Sequence, residues 1–276
     1  IGNNIWVDTN NDGLLNNGES LITVPITVSL VDATTGAVVG VVTTSNGWYT
    51  FTGVPAGTYV VSITVPAWYV SSTPTDGTAS VENNDYGQPV GQFIATAPFT
   101  ATPGTTLDSI TATNATGTTT NPSIDFGLVP LFDLGNQVWY DTNNNGVIDA
   151  GEAGVAGVTV TLMSNGVPVG VAVTDLNGYY MFTNLLAGTY SVTIGAENFA
   201  AGGALVGYFS STPDDGTTTT DDTDNGLGTT AGATGISSVN VTLGLGLEPT
   251  GETNGTTGPN GDDRGNNTID FGFYTQ

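Results

Sequence analysis

Two twelve-residue stretches place oxygen-bearing groups at the spacing of a calcium loop, positions 1, 3, 5, 7, 9 and 12. The first supplies Asp8, Asn10, Asp12, Leu14, Asn16 and Glu19; the second supplies Asp141, Asn143, Asn145, Val147, Asp149 and Glu152. Gly13 and Gly146 fall at the sixth position, where such a loop turns sharply. Leu14 and Val147 would each offer only a backbone carbonyl, so an apolar side chain there is no obstacle. Each loop carries three carboxylates, and two charges ~4 Å apart repel by about 4 kcal/mol at an effective dielectric near 20. A hard divalent cation with six to eight oxygen ligands reverses the sign of that interaction. Calcium (Ca2+) fits better than magnesium, which demands stricter octahedral geometry and keeps more of its water. The competing account is an Asx-rich turn whose side chains cap their own backbone. The duplication favours the ion.

A second acidic cluster follows in each half. The first holds Asp76, Glu82, Asn83 and Asp85; the second holds Asp214, Asp215, Asp221, Asp222 and Asp224. These suggest a second calcium site per half, completed in the latter by Asp175, against a plain reading as solvated acidic loops. The first half has Ser45 where the second has Asp175, so its second site should be weaker or differently built. Asp262, Asp263 and Arg264 read as a surface ion pair, which contributes little.

The elements that position these loops are strands. Val24, Ile26, Val28 and Leu30 alternate with polar neighbours, as do Tyr59, Val61, Ile63 and Val65. Val158, Val160 and Leu162, and Tyr190, Val192 and Ile194, repeat the pattern. A period of two bounded by Gly, Asn and Pro predicts half-buried strands. Asn46-Gly47 and Asn177-Gly178 predict tight hairpin turns. No segment has sustained helical periodicity. The chain is therefore expected to be all-β, with two tandem antiparallel β-sandwich domains of prealbumin- or Ig-like type, 1–129 and 130–276. The junction Val129-Pro130-Leu131-Phe132-Asp133 is short, apolar and Pro-bearing, which predicts a stiff joint.

The duplication is nearly complete. Ile1-Gly2-Asn3-Asn4-Ile5-Trp6-Val7-Asp8 matches Leu134-Gly135-Asn136-Gln137-Val138-Trp139-Tyr140-Asp141. Asn46-Gly47-Trp48-Tyr49-Thr50-Phe51 matches Asn177-Gly178-Tyr179-Tyr180-Met181-Phe182, and Ile124-Asp125-Phe126-Gly127 matches Ile269-Asp270-Phe271-Gly272. Taken in order with Ala-Gly-Thr-Tyr and the loops, these motifs resemble the SdrD B-like repeats. Those are calcium-binding β-sandwich modules of bacterial surface proteins, related to the collagen-adhesin B-type fold. The resemblance implies rigid, calcium-stiffened stalk modules. B-type domains often lock themselves with a Lys–Asn or Lys–Asp isopeptide bond, and this chain has no lysine with which to form one.

Composition narrows the rest. With 1 Lys+Arg against 25 Asp+Glu the formal charge is -24, which disfavours nucleic acid and anionic membrane surfaces as partners. Cysteine and histidine are absent, so neither a disulfide nor an imidazole or thiol ligand is available. No apolar run reaches the ~18–20 residues needed to cross a bilayer. Paired carboxylates could serve glycoside hydrolysis, but here they sit in loops at ligand spacing, so no enzyme is expected. The expected role is a calcium-stabilised structural repeat of an extracellular, cell-surface stalk, fibre or filament. Its partners would be neighbouring repeats or subunits, forming a homopolymer through strand exchange with stretches such as Ala95 to Thr120 and Thr229 to Leu247. The alternative is an adhesive or carbohydrate-binding module meeting a surface glycan or a host or matrix protein, with Trp6, Trp48, Trp68, Tyr69 and Trp139 as candidate stacking residues.

Overall fold

The computed structural model describes residues 1–16, 18–73, 84–102, 124–211, 222–228, 235–252 and 264–276, with the backbone alone at 112–113 and 119–120. Two compact units divide the chain, Ile1–Pro130 and Leu131–Gln276.

The first unit contains β1 (Gly2–Val7), β2 (Thr27–Asp32), β3 (Val38–Thr43), β4 (Trp48–Thr50), β5 (Gly57–Thr64) and β6 (Tyr69–Ser71). It continues with β7 (Gln88–Val90), β8 (Phe93–Ala95), β9 (Phe99–Ala101), β10 (Ala112–Thr113), β11 (Thr119–Thr120) and β12 (Phe126–Pro130). One sheet runs β4-β1-β12-β6; the other runs β3-β2-β5-β8-β7, with β9 also paired to β5. β2 and β5 form because β-branched residues alternate with polar ones, and Val28, Leu30, Tyr59, Val61 and Ile63 all turn into the core. Val24, which fits the same alternation, lies ahead of β2 and is 45% exposed. The core adds Ile5, Ile22, Ile26, Tyr49, Phe51, Ile94, Ile124, Phe126 and Leu128 from both sheets, as a sandwich requires.

The second unit repeats the plan. Its strands are β13 (Phe132–Tyr140), β14 (Thr159–Ser164), β15 (Val167–Val173), β16 (Tyr179–Leu185), β17 (Gly188–Ile194), β18 (Phe209–Ser210), β19 (Ile236–Ser237), β20 (Val241–Leu243), β21 (Gly265–Asn266) and β22 (Phe271–Tyr274). One sheet is β16-β13-β22-β18 with β21 beside β13; the other is β15-β14-β17-β19 with β20 beside β17. Ala196–Phe199 forms a 3-10 turn, and Arg264 is also in 3-10 geometry. No helix among the described residues is long and apolar enough to cross a membrane.

The ladders are antiparallel with one repeated exception. In each unit the first strand lies parallel to the last, β1 on β12 through Ile5↔Phe126 and β13 on β22 through Val138↔Phe271. β21 is also parallel to β13. Parallel neighbours require a long crossover, and here the crossover is the rest of the repeat. The Ile-Asp-Phe-Gly motif is thus the closing strand. Its glycine is required by packing: a Cβ on Gly272 would stand 2.7 Å from Cζ2 of Trp139, which is fully buried.

The two Asn-Gly turns differ. Asn46 and Gly47 both take left-handed φ, 47° and 78°, and Ser45 and Trp48 exchange backbone hydrogen bonds across a two-residue turn. In the second unit Asp175 N–H donates to the Tyr179 carbonyl and Gly178 N–H to the Asp175 carbonyl, closing a longer turn in which Gly178 alone takes left-handed φ, 82°. The additional residue is Leu176, which is 91% exposed.

Candidate metal centre

Each loop starts from a buried anchor. At the end of β1, Asp8 is fully buried and its N–H donates to the Leu128 carbonyl at 3.0 Å, which ties the loop to the closing strand. Its Oδ1 accepts Asp12 N–H at 3.3 Å and its Oδ2 accepts Gly13 N–H at 2.8 Å. Gly13 can turn there because φ is +73°, a region costly for other residues. At the far end, Glu19 accepts from Thr9 N–H at 2.7 Å, Thr9 Oγ1 at 3.1 Å and Asn16 N–H at 3.2 Å. The first and last carboxylates therefore set the loop's curvature.

Between them the remaining side-chain positions converge. Asp12 Oδ2 accepts both Asn10 Nδ2 and Asn16 Nδ2, each at 2.9 Å. The Asn16 amide first, with Leu14 N–H and the Asn10 amide, holds the half-buried Asp12 carboxyl below its ordinary value against the opposing effect of burial.

The second loop has the same plan. Asp141 is fully buried, donates its N–H to the Phe273 carbonyl at 2.9 Å, and accepts Asn145 and Gly146 N–H at 3.2 and 2.9 Å. Glu152 accepts Thr142 N–H at 2.6 Å, Thr142 Oγ1 at 3.0 Å and Asp149 N–H at 3.1 Å. Here Asp149 Oδ2 collects Asn143 Nδ2 at 2.8 Å and Asn145 Nδ2 at 2.9 Å.

This donor set suits a hard cation. In both loops one carboxylate and two carboxamides meet at one point, and the amide N–H groups stand where a cation's positive charge would. Rotation of each carboxamide would present Oδ1 to the same point, at the cost for Asn10, Asn143 and Asn145 of the backbone N–H that each Oδ1 now accepts. Asn16 Oδ1 is buried with no hydrogen-bond partner, an acceptor waiting for a positive group. Among the described residues no group of three acidic side chains meets at one metal-binding point, so a cation here would have to draw on amide and backbone oxygens as well. The seventh position is prepared for that. Asp224 N–H donates to the Gly146 carbonyl and Ile148 N–H to the Asp222 carbonyl, both at 2.9 Å, and these bonds flank Val147 without using its carbonyl. If calcium is bound, these oxygens supply its ligands and the ion cancels the repulsion among the loop's carboxylates.

The late acidic segment packs behind the loop. Asp85 is fully buried, its N–H donates to the Gly13 carbonyl at 2.8 Å, and Asn84 bridges Leu14. Its Oδ1 accepts Gly87 and Gly127 N–H at 2.7 and 3.2 Å, and its Oδ2 accepts Ser72 Oγ at 3.0 Å. Asp224, equally buried, accepts Gly226 and Gly272 N–H at 3.0 and 3.1 Å through Oδ1, while its Oδ2 has no partner. Burial pushes both carboxyls up to about 7; the backbone donors oppose this, and the charges of Asp8 and Asp141, respectively, add to it.

Asp175 takes a different place, at the hairpin turn, where Oδ1 accepts Asn177 and Tyr179 N–H at 2.8 and 2.9 Å. Asp76, Glu82, Asn83, Asp214, Asp215, Asp221, Asp262 and Asp263 lie outside the described residues. Of the candidate stacking residues, Trp6, Trp139 and Tyr69 are core, whereas Trp48 and Trp68 are 53% and 42% exposed.

The buried carboxylates of the duplicated closing motif, Asp125 and Asp270, escaped sequence reasoning. Asp125 Oδ1 accepts Asn4 N–H at 3.1 Å; Asp270 accepts Gln137 N–H at 3.0 Å and Asn136 Nδ2 at 3.1 Å. They fasten the opening strand to the closing one. The signal was present in the duplicated Ile-Asp-Phe-Gly, whose Asp sits between two core residues.

Serine-aspartate repeat-containing protein E of Staphylococcus aureus is 35% identical over 196 residues, covering 70% of this chain and 15% of that protein. Serine-aspartate repeat-containing protein D of the same species is 35% identical over 195 residues, covering 70% and 13%. The chain thus spans less than a fifth of the length of these curated relatives. Among solved structures, the minor pilin GBS52 of Streptococcus agalactiae aligns over 100% of this chain and 95% of its own at 12% identity and TM-score 0.28. The shaft pilin SpaA of Lactobacillus rhamnosus GG aligns over 100% and 96% at 11% identity and TM-score 0.29. Scores this low carry no argument, and the sandwich assignment stands on the strands themselves. The SdrD B-like domain model matches residues 1–128 and again 132–230, once in each repeat, and the chain therefore belongs to the SdrD B-like family.

Proposed function

We propose that this chain is a calcium-loaded structural segment of an extracellular surface stalk or fibre, with one ion in each of the loops 8–19 and 141–152. The observation that carries the reading is the convergence of three ligand-position side chains in both loops, Asn10, Asp12 and Asn16 in one and Asn143, Asn145 and Asp149 in the other. The action is mechanical. An ion in the first loop holds together β1, through Asp8, and the segment at Asn84–Asp85, which already bonds to the back of the loop. It also offsets part of the self-repulsion of a chain at -24. At a free calcium concentration 100 times the dissociation constant, each ion adds about 2.7 kcal/mol. Neighbouring repeats or copies in a fibre or filament are the partners this role implies, and no catalytic chemistry is assigned to the chain.

Limited proteolysis tests the reading. Removing calcium with EDTA should speed cleavage within both loops at least about tenfold, and calcium should restore protection better than magnesium does. Equal cleavage with and without chelator would remove the calcium account.

A second reading, an adhesive or carbohydrate-binding module, has the exposed rings of Trp48 and Trp68 in its favour. Binding on a glycan array that is lost in Trp48→Ala or Trp68→Ala would support it. An array without binding would leave the stalk reading alone.

A further inference from the structure

The second unit ends one of its sheets on a bare edge. β15 pairs with β14 alone, and its Val167, Val169, Val171 and Val173 are all more than half exposed, Val171 the most at 67%. In an antiparallel ladder, alternate residues turn N–H and C=O toward the neighbouring strand and the others turn them away. Thr174 N–H donates to the Val158 carbonyl, so Thr174, Ala172 and Gly170 face β14. Val171 and Val173 therefore present their backbone groups outward. Nearer the start of the strand the edge is closed, since Pro168 has no N–H and the register with β14 slips at Val169.

Edge strands are commonly blunted by a charged side chain. This one is not: no acidic or basic residue lies between Glu152 and Asp175. Outward N–H and C=O groups call for another strand. A second copy at -24 approaches closely only where neither surface is acidic, and this stretch meets that condition. The strand also matches itself. Laid antiparallel on its own copy about Ala172, it sets Val171 opposite the partner's Val173 and Val173 opposite the partner's Val171. Those two outward-facing pairs exchange about four backbone hydrogen bonds and use neither Pro168 nor Val169. The two copies of Asp175 then stand ~20 Å apart at ~3.3 Å per residue, well beyond the ~8 Å screening length of physiological salt. β3, the matching edge of the first unit, is less suited. It has Thr43 in the place of Val173, and Asp32 lies at the turn that leads into it.

We propose that β15 is a docking edge for a second copy of this chain, and that two copies join β15 to β15 across a two-fold axis at Ala172. Such a contact is isologous and closes at two copies. It adds a lateral contact between neighbouring stalks and borrows from the stalk reading only the presence of those neighbours. Neither loop takes part, so its failure would leave the calcium account, which proteolysis tests, untouched.

Analytical ultracentrifugation of the full chain tests it. A monomer–dimer equilibrium should appear with a dissociation constant on the order of 10–100 μM, as suits a small interface. Val171→Lys should weaken the dimer at least about tenfold, because two ammonium groups then meet beside the axis. It should move the melting temperature by less than about 3 °C, since the side chain is exposed. Val41→Lys, at the matching place of β3, should leave the dimer unchanged. Cross-linking gives a second readout. The chain has no cysteine, so Ala172→Cys supplies one thiol per copy, placed with Cα atoms ~4.5–5.5 Å apart across the axis. Mild oxidation should link it into dimers at least about tenfold faster than Val42→Cys, the matching variant of β3. A chain still monomeric at ~1 mM overturns the proposal. So does a dimer that Val171→Lys leaves intact or that Val41→Lys dissolves instead, and so does an Ala172→Cys variant that links no faster than Val42→Cys.

Discussion

The two loops reach one arrangement from different sequences. In the first, the collecting carboxylate is Asp12 and the carboxamides are Asn10 and Asn16; in the second it is Asp149, with Asn143 and Asn145. Aspartate and asparagine have changed places between the fifth and ninth positions, yet each loop keeps three carboxylates and a single meeting point. The lesson is that the loop specifies a total charge and a point in space, and not the order in which its residues supply them. Behind the loops the repeats differ again. Asp85 Oδ2 accepts the Ser72 hydroxyl, whereas Asp224 Oδ2 and the matching Ser211 hydroxyl are both without partners.

The largest effect expected from this comparison is on pH dependence without metal. Asp85 and Asp224 are held at about 7 in the folded chain against an ordinary 3.8. Between those values the folded state binds more protons than the unfolded one, so stability falls as pH rises through the window. In EDTA the melting temperature should drop by about 5–10 °C from about pH 5 to about pH 8. Asp224→Asn should remove more of that drop than Asp85→Asn, because Asp85 has the Ser72 hydroxyl and Asp224 does not. Equal effects would erase the distinction between the repeats. Next come the anchors. Asp8→Ala and Asp141→Ala each strand one backbone N–H, that of Gly13 or Gly146, and take one of two acceptors from a second, and should cost about 1–3 kcal/mol in denaturant unfolding with calcium present. Asp149→Asn should be milder, within about 1 kcal/mol of wild type in EDTA but without most of the calcium stabilisation of its unit. The smallest effect belongs to the exchange Asp12→Asn/Asn16→Asp, which gives the first loop the second loop's order. Calorimetric calcium affinity should then change by less than about threefold, and a large loss would show that order matters after all.

Much of this was legible in the sequence because it is local. The loops follow from spacing, and β2, β5, β14 and β17 follow from alternation, since a period of two identifies a buried face. Pairing is less local. Nothing in Ile-Asp-Phe-Gly announces that Phe126 lies parallel to Ile5, since alternation names a strand's face and not its neighbour. The same limit hid the docking of Asp85 and Asp224 behind the loops, where Asp85 meets Gly13 and Asp224 meets Gly146 across more than half a repeat. Exposure was equally opaque. Val167, Val169, Val171 and Val173 alternate along β15, but it is an edge strand and all four are more than half exposed. Leu176 turned an expected two-residue turn into a longer one, which a match of Asn-Gly to Asn-Gly conceals.

A crystal structure of the chain grown with calcium would test the central claim most directly. Each loop should hold one density peak with oxygen contacts of ~2.3–2.6 Å. The carboxamides of Asn10, Asn16, Asn143 and Asn145 should be turned so that Oδ1 faces it. Loops without a peak, in which those amide nitrogens still donate to Asp12 and Asp149, would contradict the account.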